Sequence, residues 1–148
     1  MYKNTTTVKK ANSWDSEAII SSYSRADAIE DGFLIQIDEK MSQEAGFKFP
    51  IAISRDVWEK YVYWTDEDTK RQTYQDLKGR LWDVLCMLMF AIRLSKNVNG
   101  KLRFSFSVVP RGLKSRAKTA KLIHLWAHIH PGDQLEPVIT ISDKENLD

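Results

Sequence analysis

Cysteine is almost missing from this chain: Cys86 is the only one in 148 residues. That count excludes an intramolecular disulfide and fits a reducing compartment. Set among Leu85, Met87 and Leu88, Cys86 reads as packing, because a nucleophilic thiol needs exposure and a basic neighbour. Long hydrophobic runs are missing too. The longest, residues 84–92, has nine residues, against about 20 for a membrane-spanning helix. Residues 1–13 are polar and threonine-rich and lack the apolar stretch of a secretory signal. The expectation is a cytoplasmic protein with no membrane partner. Net charge is also scarce, at +2, so no whole-molecule field steers the chain to a polyanion. Absent as well are the G-x-x-x-x-G-K-[ST], G-x-G-x-x-G, G-x-S-x-G and H-E-x-x-H patterns that mark nucleotide, hydrolase and zinc-protease sites.

Apolar content is ample. Hydrophobic residues make up 43% and aromatics 11%, enough for one domain that buries about 70% of its unfolded surface. Residues 1–13 are expected to be disordered, since so few apolar groups cannot offset ordering entropy, and residues 14–148 to form a single α+β domain. Ser24, Asp27 and Gly32 outline a short capped helix, followed by a strand over 33–37. Asp38 caps a second short helix over 39–45, and an extended segment covers 47–53. Ser54 opens a third short helix over 55–62. The acidic run Asp66, Glu67 and Asp68 reads as a solvated loop.

The strongest periodic signal lies over residues 70–95. Tyr74, Leu77, Leu81, Val84, Leu85, Leu88 and Ile92 recur at three- and four-residue spacing, which predicts one long amphipathic helix. From Leu81 onward both faces are apolar, so this half is expected to be fully covered. The period then switches to two. Leu102, Phe104, Phe106 and Val108 alternate with Arg103, Ser105 and Ser107, predicting a strand with one wet face. Further strands are predicted over 122–130 and 138–141. The economical assembly is an antiparallel sheet of about four to five strands packed by the helix 70–95 and the short helices.

All three histidines fall in one strand. His124, Trp126, His128 and His130 share a face, while Ile123, Leu125, Ala127 and Ile129 take the core side. His128 and His130 lie about 6.6 Å apart, close enough to share a zinc ion, whereas His124 lies about 13 Å from His128. No cysteine completes a ligand set, so no metal is expected. Ser115-Arg116-Ala117-Lys118 matches S-x-x-K, but a serine in a basic loop is not the buried helix-opening nucleophile that pattern needs. No catalytic residues, no cofactor and no small-molecule substrate are implied; the chain is read as a binding protein and not as an enzyme. Arg111, Lys114, Arg116, Lys118 and Lys121 place five cations in residues 110–121 without one acid. Together with Trp126, His128 and His130 they form the expected partner surface, since a tryptophan on a free face favours a covering partner. Trp14 and Trp64 are further candidates for partial exposure.

Five ordered stretches carry a resemblance. Residues 23–32 (YSRADAIEDG), 44–53 (EAGFKFPIAI), Val57-Trp58, 79–85 (GRLWDVL) and 136–141 (EPVITI) together resemble a family of uncharacterised small proteins, a domain of unknown function carried on conjugative plasmids, integrative elements and phages. The similarity spans most of residues 23–141. The family's typical members lack the histidine-rich strand and its tryptophan. The resemblance implies a mobile-element accessory protein, a class that counters host restriction or CRISPR systems or serves plasmid maintenance by stoichiometric binding. The expected partner is a host protein or ribonucleoprotein complex. The alternative is a small nucleic-acid-binding protein that uses the basic loop 110–121.

Overall fold

The computed structural model describes residues 23–95, 99–112 and 114–147. The segment expected to be disordered, 1–13, and Trp14 lie outside the described residues.

Helix α1 (Arg25–Glu30) starts where a reciprocal cap forms: Ser24 Oγ accepts from Asp27 N–H, and Asp27 accepts from Ser24 N–H. Gly32 takes φ +82°, the left-handed turn that lets the chain leave the helix for strand β1 (Leu34–Gln36). Asp38 caps α2 (Glu39–Glu44) by accepting from Met41 N–H. Strand β2 (Ile51–Ser54) follows, and Ser54 caps α3 (Arg55–Val57), which runs into a π-helical turn, Trp58–Val62. The later strands are β3 (Lys101–Val108), β4 (Lys121–Pro131) and β5 (Pro137–Ser142). The five form one sheet in the order β1-β2-β5-β4-β3. The sheet was expected to be antiparallel; three of its four pairings are, and the exception is β2 with β5, which run parallel, with Ile51 beside Ile139 and Ile53 beside Ile141. The fold is α+β.

Two expectations fail between residues 65 and 95. The acidic run is not a loop: Asp66–Arg71 is helix α4, opened by a capping box between Thr65 and Asp68. The long helix does not begin at residue 70 either. The backbone leaves helical geometry at Gln72 and α5 starts only at Leu77, ending at Leu94, about 27 Å long. Asp76 caps α5 by accepting from Gly79 N–H at 3.1 Å. A Cβ on Gly79 would stand 2.6 Å from that carboxylate oxygen, so the glycine belongs to the cap and not to a weak helix interior. Tyr74 is 77% exposed, in the gap between helices; its agreement with the helical period is accidental.

Helix α5 packs on one face of the sheet. Val84, Leu85 and Leu88 meet Phe104, Phe106, Leu125, Ile139 and Ile141, with Val57 and Val62 closing the side. The opposite side of α5 is not covered: Trp82, Met87, Phe90 and Leu94 are exposed, the last two at 56% and 67%. One sheet can cover only one face of a helix, and the short helices do not reach the other. No helix among the described residues is long and apolar enough to cross a membrane.

Candidate functional site

The paired strands β3 and β4 build the predicted surface. Their register sets Lys101 against His128, Arg103 against Trp126, Ser105 against His124 and Ser107 against Leu122. Residues directly opposite in an antiparallel pair share a face. These eight therefore form one outward ladder, while Leu102, Phe104, Phe106, Leu125 and Ala127 go to the core side. Arg103, Ser107, Leu122 and His124 are exposed, and Trp126 is half-buried. Ser105 Oγ lies 2.5 Å from His124 Nδ1. At the far end, Lys101 bonds Glu145 at 2.9 Å and stands 5.6 Å from the Trp126 ring centre.

The two remaining histidines are engaged inside the protein, so the even-numbered face of β4 is only partly free. His128 is 6% exposed, and its Nε2 donates to Lys144 O at 2.9 Å. His130 Nδ1 donates to Pro131 O, which leaves Nε2 to accept from Thr140 Oγ1 at 2.8 Å. Thr140 Oγ1 in turn accepts from Arg25 Nη1. This chain holds a neutral imidazole, and burial lowers the His130 pKa. The nitrogens that would chelate a metal have other partners. Among the described residues, no three His, Cys, Asp or Glu side chains are grouped to hold a metal ion.

The basic loop divides by direction. Lys114, Arg116 and Lys118 point outward, Ser115 and Ala117 inward. Helix α4 holds the inward half. Gln72 is buried and its Nε2 donates to Pro110 O, Ser115 Oγ and Ala117 O. Arg71 donates to Ser115 O and Gly112 O. Arg111 does not belong with the outward cations: its Nε donates to Asp68 Oδ2 at 2.7 Å, and its guanidinium lies over Tyr63 at 4.9 Å. Asp68 is 1% exposed and also accepts from Arg71 at 2.6 Å. Burial alone would raise the Asp68 carboxyl pKa, but the bonds from Arg111, Arg71 and Thr65 hold it well below the usual carboxylate range. Beneath this pair, buried Arg80 stacks on Trp64 at 4.3 Å and donates to Val62 O and Val109 O; desolvation lowers its pKa to about 10. Trp64, expected to be part-exposed, is therefore buried. Lys121 stands exposed where β4 begins.

Of the expected surface, Lys114, Arg116 and Lys118 are exposed on the loop and Trp126 lies on the outward face of β4, Lys121 stands on the opposite face at the strand's start, and Arg111, His128 and His130 are engaged inside the protein. Arg103 and His124, expected on the wet faces of their strands, stand on this surface as well, together with Lys101, though none of the three belonged to the expected partner set. Residues 84–132 contain nine Lys and Arg and no Asp or Glu, so the rest of this nearly neutral chain is net acidic. No match is found among curated proteins or solved structures. The family of unknown function DUF6573 matches the chain over residues 10–146, nearly its whole length, and the chain belongs to that family.

Proposed function

We propose that this chain is a non-catalytic accessory protein of a mobile genetic element that binds a host macromolecule stoichiometrically through the β3–β4 hairpin, as an inhibitor of host defence of the anti-CRISPR kind. The observation that carries this reading is the pinned loop: Lys114, Arg116 and Lys118 face outward from a segment whose inward atoms are held by buried Asp68 and Gln72. A loop that merely solubilises needs no such anchoring. One that docks benefits, because a preorganised loop loses less entropy on binding. Its one-signed charge steers an acidic protein or a ribonucleoprotein toward the half-buried Trp126. The mobile-element setting rests on the resemblance of residues 23–141.

Arg116→Glu combined with Lys118→Glu tests the site. Both residues are exposed, so stability should stay within about 0.5 kcal/mol of the parent. Association with the host partner should slow by about tenfold or more at low salt, and protection of a plasmid or phage in a bacterial host should be lost. Full protection by the double variant would place the site elsewhere.

A further inference from the structure

We infer that the outward ladder of β3 and β4 grips a single-stranded nucleic acid, an inference that rests on the hairpin being the binding surface and names what it holds. Charge is the first support. Of the seven cations between residues 101 and 121, Arg111 pairs with Asp68 and Lys101 with Glu145; Arg103, Lys114, Arg116, Lys118 and Lys121 leave the hairpin with one sign of charge, and a partner matching it is a chain with regularly repeated negative charge. The track has an end as well as a direction. Lys101 is neutralised by Glu145 at 2.9 Å, whereas from Arg103 onward the ladder runs past His124 to Ser107 and Leu122, where the basic loop begins, without an acid on either strand.

The surface between these cations is a sheet face and not a ridge. Its rungs, Arg103 with Trp126, Ser105 with His124 and Ser107 with Leu122, recur about every 7 Å. The exposed His124 ring and the half-buried Trp126 ring, over which Lys101 Nζ stands at 5.6 Å, are aromatic groups of the kind on which unpaired bases stack. Ser107 and Arg103 supply donors for the backbone between them. In a duplex the base faces are already stacked on one another, so such a platform would find only phosphates. The ladder therefore selects unpaired strands.

The test is fluorescence anisotropy with labelled oligouridylate and oligothymidylate of about 12 nucleotides, and a duplex of equal length, between about 50 and 300 mM salt. The inference predicts tighter binding of both single strands than of the duplex. With three to five phosphates contacted, log K should fall against log salt with a slope of about −2 to −3.5. Trp126→Leu should weaken binding by about tenfold, and Trp126→Phe by far less, because Phe still stacks. Arg103→Glu should also lose about tenfold, with the melting temperature of each variant confirming its fold. No binding of either single strand at the lowest salt would overturn the inference. So would equal affinity for the duplex, or indifference to Trp126→Leu in a variant that melts like the parent. If the oligonucleotides fail while the Arg116→Glu, Lys118→Glu variant still loses protection, the hairpin remains the site and its partner is a protein. If that variant protects in full, the broader reading falls with it.

Discussion

Asp68→Ala is expected to destabilise the protein by about 3–5 kcal/mol, because it leaves Arg71 and Arg111 without their shared counter-ion in a site where the carboxylate is 1% exposed. For a domain of this size that is a drop on the order of 10 °C in melting temperature. The same substitution should release the basic loop, since Arg111 and Arg71 both tie Asp68 to it. The pH dependence has a fixed sign. The folded-state carboxyl pKa is depressed, so its contribution is complete above the unfolded pKa of about 4 and is lost as pH falls from there toward the lower folded value. Thermal melts from neutral pH into acid should show this loss in the parent and a flatter acid limb in Asp68→Asn. A parent-like melting temperature for Asp68→Ala would mean that the pair does not hold the loop.

Leu88→Ala should cost a similar amount, about 2–5 kcal/mol, from lost burial and the cavity left behind. Leu88 is fully buried between α5 and the sheet. Phe90, two residues on, is 56% exposed, and Phe90→Ala should change stability by no more than about 0.5 kcal/mol. Urea unfolding of the two variants checks which face of α5 meets the core. Equal losses would mean that the outer stripe of Trp82, Phe90 and Leu94 is covered in solution.

Local signals carried the first helix and the hairpin strands. Ser24, Asp27 and Gly32 bracket α1 by cap chemistry alone, and the alternation from Leu102 to Val108 sorts core from surface without knowledge of a partner. The misreading of 70–95 has a local cause too. Tyr74 falls in phase with Leu77 and Leu81, so periodicity alone runs through the true helix start, which Asp76 caps. Other features depend on contacts far apart in the chain. Gln72 is buried because Ala117 lies 45 positions away, Arg80 because Val109 lies 29 positions away. His128 is covered by the backbone at Lys144, and nothing in strand β4 itself foretells that cap. The parallel pairing of β2 with β5 joins segments from opposite ends of the described chain. The division of the basic loop into holding and displayed residues required all of these.

Hydrogen exchange of the protein alone and bound to its captured host partner tests most directly whether the hairpin is the working surface. The hairpin reading predicts new protection concentrated in β3, β4 and the loop between them, with the outer face of α5 around Phe90 exchanging as in the free protein. Protection along α5, with the hairpin amides unchanged, would contradict it.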